Sequence, residues 1–507
     1  MSMPPFNITI AKHGRILVHV SDFRIDENKI TFLFGESGIG KSLIAKAIYG
    51  LLSPQEFTIT INGEPYNRYR EKEETREIQQ SSFFMFQEPS SHLNPLLTIG
   101  SQLNEGSLTG RLQDSGILKR LWETKDPDDM KSMLGIYPKP YRPSGGEKQR
   151  FLLAMAFLKI EMMQESIPEH VKTFFVFDEP SGSLDNHFRD VFLSILFEKF
   201  QKRKFTVLLI THDYSIISAV RTTGSSILKD ISYKELSLKH HELTLNNFRP
   251  EQYTRWIQSQ EESKKAGVRT GSQQPLLRVE SGLEVFGRRL VVSRDRNGGR
   301  SCPLEIHPYS MVYLKAASGV GKTTFAKSVM GLIKAKHLKI DLYLDKTGIS
   351  LTEDTPKRFW QSSVWGKQMA ITFQHADEAL NQNSTVRGTL SGLPAKKSRA
   401  ENIDQMMKGL FEGSVDENFL RKKVKYLSGG QKQRLNVFRS LVLDTDIIIL
   451  DEPLNGLDFE SIMRVLSMLK ERQTSGKGIL LISHNEEIFD AIVPKENVYY
   501  LQASHII

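Results

Sequence analysis

Two tandem α/β domains of one design are what this sequence of 507 residues predicts, on the strength of a repeated set of landmarks and of the apolar runs between them. The landmarks keep one order in both halves. "GESGIGKS" at 35–42 is answered by "AASGVGKT" at 316–323, and "FMFQEP" around Gln87 by "ITFQHA" around Gln374. "PSGGEKQR" at 143–150 returns as "LSGGQKQR" at 427–434, "TFFVFDEPSGSLD" as "IIILDEPLNGLD", and "LLITHD" as "LLISHN". Matching order at similar separations marks a duplicated domain. Within each half, "KITFLFG" and "SMVYLKA" are short apolar strands that enter a tight loop, and "SLIAKAIYGLL" and "TTFAKSVMGLI" follow with helical spacing. The runs "TFFVF", "DIIIL", "TVLLITH" and "GILLISH" are continuously apolar, as strands of a parallel sheet covered on both faces are. Residues 90–141 and 377–426 are mixed and polar with helix-like portions, and they predict a helical insertion in each half.

Between the copies, residues 243–275 are polar, charged and finally rich in Gly, Ser and Gln, the composition of a linker. The expected domains are therefore 1–242 and 276–507. A composition of 39% hydrophobic and 25% charged residues belongs to a soluble globular chain. No run of eighteen apolar residues occurs, and "MSMPPFNITIAKHG" has no basic region followed by an apolar stretch, so neither export nor membrane spanning is expected. The single cysteine, Cys302, excludes a disulfide framework or a cysteine-built metal cluster within one chain. A net charge of +9 suits nucleotides, nucleic acid or an anionic membrane and selects none of them.

A glycine loop between strand and helix lets successive backbone N–H groups converge on phosphate oxygens, and the helix N-terminus adds favourable partial charge. Gly35, Glu36, Ser37, Gly38, Ile39, Gly40, Lys41 and Ser42 form such a loop, with Lys41 placed for the β- and γ-phosphates and the Ser42 hydroxyl for magnesium. The second copy runs Ala316, Ala317, Ser318, Gly319, Val320, Gly321, Lys322, Thr323; alanine replaces the first glycine and fits if its φ stays negative. Asp178 and Asp451 close apolar strands where a carboxylate can hold Mg²⁺ through water, and Glu179 and Glu452 beside them can polarise an attacking water. His212 and His484 follow the next strand, within reach of a γ-phosphate.

The repeated phrase supplies a second anion-binding end. Ser144, Gly145, Gly146 and Glu147, like Ser428, Gly429, Gly430 and Gln431, include small residues that let backbone N–H groups approach a ligand, and the following residues open a helix. In this order and number the motifs resemble the ATP-binding cassette family: Walker A, glutamine loop, signature, Walker B, D-loop and switch histidine. The resemblance covers nearly the whole chain. It implies two P-loop nucleotide-binding domains, each a RecA-like mostly parallel sheet with an antiparallel β subdomain and a helical insertion, using ATP and Mg²⁺. It further implies that the cassettes pair head to tail, each signature closing over the other's ATP. One composite site would join 35–42, Gln87, Asp178, Glu179 and His212 to Ser428–Gln431; the other would join 316–323, Gln374, Asp451, Glu452 and His484 to Ser144–Glu147. Gln87 and Gln374 would take part in the magnesium shell. Because the second site has Ala316 and Glu147, whose charge would lie near a γ-phosphate, the sites are expected to be unequal. Phe286 is a candidate adenine platform, equally readable as a core phenylalanine; His13 stands at the comparable place in the first half.

"MFQEPSSHLNPLLTIGSQL" resembles the glutamine-loop region of ATPase subunits from oligopeptide, dipeptide and nickel importers, and "TFQHADEALNQNSTVRGTL" is a looser version of it. The resemblance implies a fused importer motor for peptides, nickel or a metal chelate on the cytoplasmic face of the inner membrane, with two transmembrane permease subunits, a substrate-binding protein and no nucleic acid as partners. A twin-cassette ATPase working on ribosomes or nucleic acid and an ATP-dependent activator of a metalloenzyme are the alternatives. "QKRKF" and "RKKVK" are too short to favour the former.

Overall fold

The computed structural model describes residues 4–105, 116–123, 132–136, 143–180, 186–239, 242–266, 274–296, 298–317, 319–344, 347–391, 393, 400–411 and 415–505. The chain divides into two compact units, Met1–Thr254 and Arg255–Ile507.

The first unit is built on one ten-stranded sheet. Its strands are β1 (Phe6–Lys12), β2 (Arg15–Phe23), β3 (Ile30–Phe34), β4 (Thr58–Ile61), β5 (Glu64–Pro65), β6 (Phe84–Met85), β7 (Phe174–Asp178), β8 (Thr206–Ile210), β9 (Ile231–Lys239) and β10 (Glu242–Asn247). They lie in the order β5-β4-β1-β2-β10-β9-β3-β8-β7-β6. From β9 to β6 all neighbours are parallel, while β5, β4, β1 and β2 form an antiparallel end. The continuously apolar runs are central parallel strands: β3, β7 and β8 are buried at every residue. A parallel strand needs a crossover to return, and the helix Asn186–Lys202 supplies one between β7 and β8.

The segment expected to be a linker is in part built structure. Residues 242–247 pair antiparallel with β9, and Leu243 meets Val20 of β2, so β10 joins the two ends of the first sheet. Pro250–Ala266 is a helix, and the boundary between the compact units falls inside it. The polar composition hid an alternation in "ELTLNN", where Leu243 and Leu245 pack on the apolar core.

The second unit divides the same plan between two sheets. An antiparallel one runs β14-β11-β16-β17, from β11 (Leu277–Val279), β14 (Leu304–Ile306), β16 (Lys339–Leu344) and β17 (Thr347–Thr352). The other runs β12-β13-β21-β15-β20-β19-β18, from β12 (Leu283–Val285), β13 (Arg288–Ser293), β15 (Met311–Lys315), β18 (Met369–Thr372), β19 (Ile447–Asp451), β20 (Gly478–Ile482) and β21 (Val498–His505). Strands β21, β15, β20, β19 and β18 are parallel. Described parts of the two insertions are helical, including Ile99–Asn104, Gly116–Trp122, Ala400–Leu410 and Glu417–Arg421. Among the described residues no helix is long and apolar enough to cross a membrane.

Candidate active sites

In the first unit β3 ends at Phe34 and the helix Lys41–Tyr49 begins seven residues later, so 35–40 form a loop at the carboxyl end of the sheet. Gly35, Gly38 and Gly40 have φ of 140°, 78° and 114°, the region that favours glycine. Space excludes a side chain as well: a Cβ on Gly35 would lie 2.4 Å from the Leu236 carbonyl oxygen, and one on Gly40 would lie 2.6 Å from Val18 Cγ2. Gly40 gives the helix no side-chain cap, which leaves first-turn N–H groups for an anion. The Lys41 ammonium folds over this loop, donating to the carbonyls of Gly35 at 2.5 Å and Glu36 at 2.8 Å.

Ser42 Oγ donates to Asp178 Oδ1 at 2.9 Å, which brings together a hydroxyl and a carboxylate, hard oxygen donors suited to Mg²⁺. Burial pushes the Asp178 carboxyl up to about 6, and the Ser42 hydrogen bond opposes the rise. A buried carboxylate held back from ionising is a fit partner for a cation. Among the described residues no cluster of three or more His, Cys, Asp or Glu side chains could hold a metal unaided, and Mg²⁺ beside phosphates needs only one or two carboxylates. Glu179 has φ 51°, costly by about 1–2 kcal/mol for a residue with a Cβ, and its N–H is held by the Ile210 carbonyl at 3.0 Å. Its Oε1 meets His212 Nδ1 at 2.8 Å. Burial lowers the His212 pKa, but the neighbouring Glu179 carboxylate outweighs it and the net shift is upward. Gln87 is exposed after β6.

The second unit repeats the layout with different details. Ala316 is not among the residues of positive φ, so the condition for alanine at that position is met; Gly319 and Gly321 keep φ of 78° and 113°. Lys322 Nζ donates to the carbonyls of Ala316 at 2.7 Å and Ala317 at 3.4 Å. Ser318 lies outside the described residues. Here the glutamine is engaged, Thr323 Oγ1 donating to Gln374 Oε1 at 3.3 Å. Burial raises the Asp451 pKa, with a Thr323 hydrogen bond opposing it. Glu452 repeats the left-handed backbone at φ 50°, with its N–H on the Ile482 carbonyl at 2.8 Å. Its Oε2 accepts from Ser483 Oγ at 2.8 Å, while His484 Nε2 stands at 3.5 Å from Oε1. Burial takes this carboxyl to about 7.

The two signature segments cap their helices identically. Ser144 Oγ accepts from the Glu147 N–H at 3.3 Å and Glu147 Oε2 accepts from the Ser144 N–H at 2.7 Å, opening the helix Gly145–Ser166. Ser428 and Gln431 do the same at 3.1 Å in both bonds, opening Gly429–Val442. The Glu147 carboxylate is therefore engaged at the N-terminus of its own helix, as the Gln431 amide is at the other. Phe286 is 82% exposed at φ 51° in the β12–β13 turn, which rules out the core reading; His13 takes the matching β1–β2 turn at φ 50°.

Three contributors escaped the sequence reading. Ser483 was overlooked because the first half has Thr211 there, whose Oγ1 instead accepts the Asp213 N–H at 3.0 Å. Arg189, 8% exposed, reaches Asp213 Oδ2 at 3.4 Å and Ser215 Oγ at 2.5 Å and so braces the loop after His212; Ile462 stands at the corresponding place in the second half. The glutamines of the two "KQR" triplets are the third.

A family model described as "ABC transporter" matches residues 18–163 and again 300–455. The chain belongs to the ABC transporter family. Like that family it is an ATPase with two ATP-binding cassettes in tandem. The similarity to curated relatives runs nearly end to end. An ABC transporter ATP-binding protein, YejF of Escherichia coli, is 26% identical, with 94% of this chain and 89% of the relative covered. The glutathione import ATP-binding protein GsiA of Shigella sonnei is 23% identical over 94% of this chain and 81% of its own length. A peptidoglycan transport ATP-binding protein of Agrobacterium fabrum is 25% identical, covering 94% and 85%. Among solved structures, RNase-L inhibitor shares the tandem fold at a TM-score of 0.57 and 18% identity, covering 97% of this chain and 89% of that one.

The glycine geometry yields a prediction. Gly35→Ala should destabilise the first loop and weaken ATP binding there by at least about tenfold, since the methyl meets a backbone oxygen at 2.4 Å. Ala316→Gly should change binding by less than about twofold. Nucleotide titration of each variant is the check, and equal effects would contradict this account of the loops.

Proposed function

We propose that this protein is the ATP-hydrolysing motor of an importer for peptide-like cargo, peripheral to the cytoplasmic face of the cell membrane and coupled to two permease subunits and a substrate-binding protein. The observation carrying this reading is the near full-length similarity to ATP-binding proteins named for glutathione import and peptidoglycan transport, both cargoes containing short peptides. The loop after Gln87 adds support. Leu96 is 81% exposed and Leu97 is 37% exposed, apolar side chains that the core does not use.

In this reading Lys41 and Lys322 bind β- and γ-phosphate oxygens through their ammonium groups. Ser42 with Asp178, and Thr323 with Asp451, would hold Mg²⁺, which would supply charge neutralisation on the phosphates when bound. Glu179 and Glu452 orient the attacking water and accept its proton, and His212 and His484 face the γ-phosphate. Ser428–Gln431 close over the first nucleotide and Ser144–Glu147 over the second.

Single cysteines placed from Gln87 to Thr98 in a Cys302→Ser background test the permease contact. A bifunctional thiol reagent should join position 96 to a copurified permease. Capture only through cysteines placed at 250–266 would reject this surface.

A further inference from the structure

We infer that Gln149 and Gln433 are positioning residues for the two water-activating glutamates, each fixing the peptide that carries the carboxylate from the signature helix of its own unit. The inference rests on the assignment of Glu179 and Glu452 given above. Gln149 is 1% exposed, and its Nε2 donates to the carbonyls of Glu179 at 3.3 Å and Pro180 at 3.2 Å. Gln433 is 5% exposed, and its Nε2 donates to the Glu452 carbonyl at 2.9 Å. The same contact therefore arises twice, from the same place in the repeated phrase.

What the amide holds is a strained peptide. Glu179 and Glu452 sit at φ 51° and 50°, and the neighbouring strand end grips each N–H, from Ile210 at 3.0 Å and from Ile482 at 2.8 Å. The glutamine grips the carbonyl on the other side. With both ends fixed the residue cannot relax into the ordinary backbone regions, and its carboxylate stays aimed. Release of the carbonyl frees a rotation that swings the side chain. Packing does not explain this choice of residue. Gln149 Oε1 is buried without a hydrogen-bond partner among the described residues, a penalty that methionine of similar shape would not carry. The donor is what the position requires. Because Ser144 and Ser428 cap these same helices, ordering a signature end and seating a glutamate become one rigid-body event.

The test uses the full chain. Gln149→Met with Gln433→Met should lower kcat by at least about tenfold while nucleotide affinity and KM move by less than about twofold and the melting temperature holds. Gln149→Glu with Gln433→Glu offers a donor only when protonated, and burial raises a carboxyl pKa, so its turnover relative to the parent should climb as the pH falls from about 8.5 to about 6. Placed in a Glu179→Gln, Glu452→Gln protein, the methionine pair should change residual turnover by less than about twofold, because the group it positions is gone. The proposal is overturned by parental kcat in the methionine pair, by losses that follow melting temperature or affinity, by a flat relative pH profile, or by full additivity. Parental turnover in the Glu179→Gln, Glu452→Gln protein with both glutamines intact would instead refute the carboxylate assignment, and the inference with it; that result is read in a different protein, so the two failures are told apart.

Discussion

Glu179→Gln combined with Glu452→Gln should reduce steady-state ATP turnover by about 10²–10⁴-fold while leaving nucleotide affinity within about twofold. The amide matches the carboxylate in size, so the backbone contacts to Ile210 and Ile482 remain available. The loop contacts of the phosphate cradle do not involve the changed groups, since Lys41 and Lys322 donate to loop carbonyls. What disappears is the acceptor for the proton of the attacking water. The single variants should divide the loss unequally. Glu179 is joined to His212 at 2.8 Å, whereas Glu452 takes its hydrogen bond from Ser483 and meets His484 at 3.5 Å. Phosphate release with parallel equilibrium binding is the measurement. Retained turnover in the double variant would remove both glutamates from the chemistry.

The second large effect concerns which signature serves which loop. If Ser428 closes over the nucleotide held by Lys41, then Lys41→Ala and Ser428→Arg disable one site, and the pair should cost little more than the worse single change. Lys41→Ala with Ser144→Arg strikes both sites, and together they should cost far more than either alone. Each single change should remove its own site's share of turnover and lower nucleotide occupancy at that site. Steady-state turnover and nucleotide occupancy for all pairs decide it, and coupling of Lys41 to Ser144 would defeat the head-to-tail arrangement. Glu147 makes the sites unequal only if its charge acts beyond its own helix end. Its carboxylate accepts the Ser144 N–H at 2.7 Å as Gln431 accepts that of Ser428, so Glu147→Gln should leave turnover within about twofold.

Much of the site was legible because its parts are local. A glycine loop between an apolar strand and a helix, and an acidic pair ending a buried strand, each declare their geometry within a few residues. Contacts between distant segments left no such mark. Gln149 reads as one more polar residue of a helix until the Glu179 carbonyl is found beside it. Gln87 and Gln374 occupy equivalent positions, yet Gln374 accepts from the hydroxyl of its loop while Gln87 is exposed. Strand β10 was missed for another reason: "ELTLNN" is polar in composition and alternating in order, and composition alone suggested a linker.

That strand sets a schedule for the first unit's birth. The antiparallel end is encoded by residues 6–65 and the parallel strands by 30–239, but the piece lying between β2 and β9 is encoded by 242–247. A chain leaving the ribosome at about 5–20 residues per second must carry both edges open until that hexapeptide emerges. Exposed edges invite pairing with other nascent chains, so translation stalled shortly before Glu242 would release a species prone to sticking. The helix that carries the boundary between the units, Pro250–Ala266, begins only three residues after the strand that completes the first sheet, so closure of one body is followed at once by the first residues of the next.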